Sequence, residues 1–124
     1  MYNNAVDKKA SSLISLCVRA GLAASGEAKC EKTMQQGKAK LVIISCDASD
    51  NTKKKFTNKA FFYKVPVVFY GSKQELGKLT GAGVTSSICV TDKNLSERVT
   101  SAIQAIHNPQ EPQGGKFIVE DSNI

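Results

Sequence analysis

Gly37-Lys38-Ala39-Lys40-Leu41-Val42-Ile43-Ile44 changes character within eight residues. A glycine and two lysines close one element, and an aliphatic run with no polar alternation follows. A strand with one wet face alternates apolar and polar residues, whereas an unbroken branched run belongs to a strand covered on both faces. Such a strand demands helices above and below it, so this stretch predicts a layered α/β domain.

The flanking sequence supplies those layers. Downstream, Asp47-Ala48-Ser49-Asp50-Asn51 is turn and N-cap chemistry leading into a helix through Lys64. There Phe56, Ala60 and Tyr63 form an inward stripe, with Lys53, Lys54, Lys55 and Lys59 outside it. Val65 to Tyr70 reads as a second core strand, with Pro66 tolerable at its start. Ser72-Lys73-Gln74-Glu75 has the S-x-x-E form of a capping box, opening a short helix closed near Gly81. Ile88-Cys89-Val90 is a third strand, and Asp92 or Asn94 caps a last helix through Ile106. Upstream, Val6, Ala10, Leu13, Ile14, Cys17 and Val18 recur at helical spacing, and Gly21 is placed to end that helix. Leu22-Ala23-Ala24 suits an edge strand, after which Ser25 and Gly26 open a helix that runs towards Gly37. Helix and strand alternate strictly, which predicts a three-layer α/β/α sandwich with a central sheet of about four strands. The expected organisation is a single domain over residues 1–107 and a polar tail over residues 108–124. Within that tail, Lys116-Phe117-Ile118-Val119-Glu120 reads equally as an edge strand or a loose segment.

A chain of 124 residues is too short for two ordinary domains. It is long enough to bury roughly two thirds of its unfolded surface without a disulfide or metal. No apolar run approaches the roughly 20 residues that span a bilayer, and Met-Tyr-Asn-Asn-Ala-Val-Asp lacks the marks of a secretory signal. Cys17, Cys30, Cys46 and Cys89 lie far apart with no C-x-x-C pair, so buried reduced thiols in a cytoplasmic protein are expected. No metal and no cofactor is expected.

The net charge of +6 is unevenly spread. Residues 1–64 hold twelve basic and five acidic residues, whereas the tail from His107 holds one and three. This asymmetry points to an anionic partner, with a merely solubilising surface as the alternative. Catalytic motifs are wanting. There is no P-loop, and Gly81-Ala82-Gly83 precedes a strand instead of following one, so it is no dinucleotide fingerprint. His107, at a helix end, is a poor triad base. Cys46 follows a core strand and is the one thiol placed for nucleophilic chemistry, against a purely structural reading.

Binding chemistry remains. Ser25-Gly26-Glu27-Ala28-Lys29 opens a helix, and a helix start offers unpaired N–H groups and the positive end of the macrodipole. Lys29 and Lys32 lie one turn apart, with Lys38 and Lys40 beyond the helix end. The loop Thr80-Gly81-Ala82-Gly83-Val84-Thr85 is small and uncharged, suited to close approach by an unstacked base, or equally to a plain helix-to-strand connection.

Ser25-Gly26-Glu27, the stretch from Gly37 to Ile44, Val65-Pro66-Val67 and Gly71-Ser72-Lys73-Gln74-Glu75-Leu76-Gly77, in this order and spacing, resemble the kink-turn RNA-binding ribosomal-protein superfamily, in particular its short bacterial YlxQ-like branch. The resemblance runs from about residue 12 to residue 105. It implies the same sandwich and a non-enzymatic, ribosome-associated protein that binds structured RNA. It also implies that the second helix start reads the RNA through a Gly-x-Asn-Glu-x-x-Lys stretch. Gly26 and Lys32 match that stretch, while Ala28 and Lys29 stand at the Asn and Glu positions. Ala28 offers no side-chain hydrogen bond and Lys29 only donates, where an acceptor is the family's choice. Glu27 is the nearest replacement acceptor.

By the same resemblance, Gln36 stands where members often carry a basic residue. Ala82, Gly83, Val84 and Thr85 form the loop over extruded nucleotides. Lys29, Lys32, Lys38 and Lys73 are the expected phosphate contacts, and Lys40 is a further expected RNA-binding residue. The rival readings are a protein-interaction module on a ribosomal assembly and a small Cys46-dependent enzyme or phosphocarrier.

Overall fold

The computed structural model describes residues 4–107, with side chains from Asp7 onward; the tail and its Lys116–Glu120 segment lie outside the described residues. Helices and strands alternate as α1 (Asn4–Arg19), β1 (Ala23–Ser25), α2 (Glu27–Gln35), β2 (Leu41–Ile44), α3 (Asp50–Tyr63), β3 (Val67–Phe69), α4 (Lys73–Thr80), β4 (Ser87–Val90) and α5 (Lys93–His107). The strands form one sheet in the order β1-β4-β2-β3. β4 runs antiparallel to both β1 and β2, and β3 runs parallel to β2.

β2 explains the layering. Its four side chains are fully buried, Leu41 and Ile43 into one core and Val42 and Ile44 into the other. Burying an aliphatic side chain of this size contributes about 1.5–3 kcal/mol, so both cores depend on this strand. The first core gathers Leu13, Ile14, Cys17, Leu76, Ile88, Val90, Val99 and Ile103, and so seats α1, α4 and α5 on one face. The second gathers Cys30, Met34, Phe56, Ala60 and Cys89, and so seats α2 and α3 on the other. The α/β/α sandwich is thereby complete.

Local chemistry sets the element ends. Ser49 accepts from the Thr52 N–H at 3.1 Å to start α3. Ser72 and Glu75 form both bonds of the capping box at α4. At α5 the cap is Asp92, whose carboxylate accepts from the Leu95 N–H at 2.8 Å.

Three expectations change. The segment from Val65 to Tyr70 is not an inner strand: β3 (Val67–Phe69), with flanking hydrogen bonds from Val42 to Pro66 and from Tyr70 to Ile44, lies at the sheet edge, and Phe69 is exposed. Val68 packs on one core and Val67 on the other, so both faces are covered as in an inner strand, and the apolar pattern cannot tell the two apart. Ser25 closes β1, opposite Ile88, and does not cap α2. Cys17, Cys30 and Cys89 are buried as expected, but Cys46 is exposed, because β2 ends two residues before it.

Candidate nucleic-acid interface

The strand directions bring several connections to one end of the sheet. β1 ends at Ser25, β2 at Ile44 and β3 at Phe69, and β4 begins there at Ser87. The start of α2, the 82–86 loop and the start of α4 therefore meet at that end, though they lie far apart in sequence.

Gly26 sits at the α2 N-cap with φ 96° and ψ 154°, and no side chain caps the helix. That backbone region is essentially closed to residues with a Cβ, and it turns β1 directly into α2. The first intrahelical bond runs from the Cys30 N–H to the Gly26 carbonyl at 3.0 Å. The N–H groups of Glu27, Ala28 and Lys29 consequently point out of the helix end without intrahelical acceptors. Lys29 and Lys32 are exposed beside them, as is Ala28. Glu27 is engaged elsewhere. Its carboxylate accepts from the Thr52 hydroxyl at 3.2 Å and from Lys55 Nζ at 3.3 Å. Lys55 also pairs with Glu31 at 2.7 Å, and this hydrogen-bonded partner holds the Glu31 carboxyl below the usual carboxylate range. One lysine of α3 thus partly neutralises both acids of α2 and draws their carboxylates away from the helix end. Among the described residues, Lys29, Lys32 and Lys73 have no ion-pair partner.

The glycine-rich loop is fastened beside this helix start. Gly83 and Val84 lie directly against Gly77 of α4; a Cβ on Gly77 would stand 2.1 Å from the Gly83 carbonyl oxygen. Val84 is left 60% exposed at the tip. The Ser87 carbonyl accepts both the Gly26 N–H at 3.0 Å and the Thr85 hydroxyl at 3.3 Å. The Thr85 N–H donates to the Lys73 carbonyl at 3.1 Å, and the Lys73 N–H donates to Asp47 Oδ1 at 2.9 Å. A chain of hydrogen bonds therefore runs from the α2 start through β4 and the loop to the α4 start.

The expected contact residues divide accordingly. Gly26, Ala28, Lys29, Lys73, Ala82, Gly83 and Val84 are brought to one end of the sheet, with Ser25 and Glu27 half-buried behind them; Lys32 is exposed one turn beyond Lys29, in the last turn of α2. Thr85 is a correction. It is only 8% exposed and its hydroxyl is spent on Ser87, so it holds the loop and does not face outward. Gln36, Lys38 and Lys40 are exposed but lie at the opposite end of the sheet, since Lys40 precedes β2 and donates its N–H to the last residue of β4, Val90. Gly77 and Ser87 are structural supports of this patch that sequence reading missed. Gly77 carried a signal, as a glycine inside a helix, whereas a shared carbonyl leaves none.

Cys46 and His107 line one cleft of about 370 Å³ together with Asp7, Tyr70 and Glu75. Among the described residues no three acidic, histidine or cysteine side chains are grouped to hold a metal, and no helix is long and apolar enough to cross a membrane.

An α/β/α sandwich whose glycine-opened second helix is pinned to a glycine-rich loop is the frame of a known protein class. Residues 8–100 match the ribosomal protein L7Ae/L30e/S12e/Gadd45 family, and the chain belongs to that family. Within it, the chain is similar to two curated bacterial proteins named RNA-binding protein YlxQ. It is 36% identical to that of Bacillus subtilis over 91 residues, covering 73% of this chain and 91% of the relative. It is 39% identical to that of Enterococcus faecium over 74 residues, covering 60% and 72%. Among solved structures, a Bacillus halodurans protein of unknown function superposes with a TM-score of 0.74 at 36% identity, covering 77% of this chain and 97% of that one. A Giardia lamblia 15.5kD RNA binding protein shares the fold with a TM-score of 0.67 at 23% identity, covering 86% and 92%.

Proposed function

We propose that this chain is a non-catalytic RNA-binding protein that grips structured RNA of the kink-turn kind between the start of α2 and the 82–84 loop tip, in the cytoplasm and on ribosomal RNA. The carrying observation is the Ser87 carbonyl, which fixes the helix start and the loop relative to each other at a patch whose lysines are unpaired. The outward amides of α2 and Lys29, Lys32 and Lys73 would meet phosphates, and Val84 would pack on an extruded base. The relatives named as RNA-binding proteins support this reading.

Phosphate contacts position a protein and base contacts specify the sequence. With Ala28 and Lys29 in place of an Asn-Glu pair, and the Glu27 carboxylate held by Thr52 and Lys55, few side-chain acceptors remain for base edges. The expected behaviour is RNA affinity with a relaxed sequence demand. A mobility-shift titration tests it with a kink-turn RNA, the same RNA with its sheared G·A pairs replaced by Watson–Crick pairs, and an unrelated hairpin. The proposal expects the kink-turn RNA to bind tightest at near-physiological salt, with a modest penalty for the altered pairs. Equal binding to all three that fades with salt would reduce the site to a general polyanion surface. No binding by the folded protein would favour the protein-interaction reading.

A further inference from the structure

Two of the largest exposed apolar side chains of this protein stand next to each other. Phe61 is 86% exposed and Phe62 74% exposed, both in the last turn of α3. Single exposed apolar residues are ordinary, but an adjacent pair of nearly bare phenyl rings contributes little to folding and asks for another explanation. The Phe62 ring meets Tyr63 edge-on, with centroids 4.8 Å apart and planes at 90°, so it is propped in one orientation.

The surroundings say what such rings would meet. From Asn51 to Lys64 the chain carries five lysines and no acidic residue. Lys54 lies seven residues before Phe61 and therefore on the same face, with Asn58 between them and Lys64 just beyond, all exposed. Lys55 is committed to Glu27 and Glu31, which joins α3 to the start of α2. α3 thus runs along the sandwich face that carries α2, from the helix-start end of the sheet to the opposite end, where Phe61, Phe62 and Lys64 stand.

We propose that the outer face of α3 is a second RNA contact, on which unpaired nucleotides flanking the structured element stack on Phe61 and Phe62 while Lys54 and Lys64 meet their phosphates. Every base has a stackable face, so this contact adds affinity without reading sequence. It rests on the RNA-binding reading above for its partner, but not on the kink. A lipid surface would need an apolar stripe along the helix, and here the rings occupy one end only.

The test uses the full chain and a kink-turn RNA made either blunt or with eight-adenosine single-stranded extensions at each end, one adenosine in each replaced by 2-aminopurine. The wild type should bind the extended RNA about fivefold or more tightly than the blunt one, with a change in fluorescence on binding. Phe61→Ala/Phe62→Ala should abolish that gain and leave both blunt-RNA affinity and the thermal midpoint in place. Phe61→Tyr/Phe62→Tyr should keep it. Equal affinity for blunt and extended RNA in the wild type, or a gain that survives the alanine pair, overturns the proposal. If blunt RNA fails to bind, the kink reading falls separately, and the labelled octa-adenosine strand alone then decides. A fluorescence change lost in the alanine pair upholds the α3 contact, and no change overturns it. Sedimentation of the protein without RNA closes the remaining alternative: a wild-type oligomer that the alanine pair dissociates would make the rings an interface between copies and sink the proposal.

Discussion

Gly26 joins β1 to α2 in a conformation that alanine tolerates poorly, and a Cβ there would meet no atom within 4 Å. The penalty of Gly26→Ala is therefore conformational. It should amount to about 1–3 kcal/mol, seen as a loss of several degrees in the thermal midpoint. RNA affinity should fall as well, because relaxing φ at this position swings the α2 amides and strains the bond to Ser87. A variant with an unchanged midpoint would show that the turn adapts and that Gly26 is dispensable for the frame. From the sequence, Gly26 is legible as a small residue at a helix start and, by resemblance, as the glycine of the family stretch, but not as a residue of positive φ. The positive φ and the bond to Ser87 depend on β4 arriving from elsewhere in the chain. Thr85 shows the same limit: polar and in a small loop, it reads as outward-facing, yet the loop turns it onto a strand carbonyl.

Among the elements, α1 is seated by its buried apolar face, and its first turns are also hydrogen-bonded to the end of the sheet through one tyrosine. The Tyr70 hydroxyl donates to Asp7 Oδ1 at 2.8 Å and shares a 2.7 Å hydrogen bond with the Ser11 hydroxyl. Burial, and then the Asp7 carboxylate that prefers a neutral donor, push the phenol well above its ordinary range, with Ser11 pulling the other way. A group whose ionisation is raised in the fold stabilises it fully below the unfolded value and loses that contribution as pH rises past it. Unfolding followed between pH 8 and 11 should accordingly show wild-type stability declining above about pH 10. Tyr70→Phe should lose about 1 kcal/mol at neutral pH and show a shallower alkaline decline. Parallel curves for the two proteins would remove Tyr70 as the cause.

The elements themselves were largely legible, because capping residues, glycine stops and the bare aliphatic run at residues 41–44 are local signals. The position of β3 was not, since edge or centre is decided by which strand pairs with which. Its partner β2 is over twenty residues away.

Taken whole, the molecule concentrates positive charge on surfaces that the fold assembles from distant segments, which is why the net charge announces an anionic partner but not its footprint. Lys32 stands on the exposed side of α2, one turn from Lys29, and Lys40 beyond the far end of the sheet, although they are only eight positions apart. If Lys32 meets a phosphate, Lys32→Ala should lessen the slope of log affinity against log salt by roughly 0.7–0.9, and Lys40→Ala should leave it nearly unmoved. Equal effects of the two would mean that charge acts diffusely, without a defined footprint. The α2 start and the loop lie about sixty residues apart, and what unites them is the Ser87 carbonyl, a main-chain atom present whatever side chain position 87 bears. The geometry of the grip is thus independent of the letters it presents. Ala28 and Lys29 are exposed and free to vary without disturbing Gly26, Ser87 or Gly77. If those two positions read the RNA as proposed, a change of RNA needs only two surface side chains and leaves the scaffold as it is.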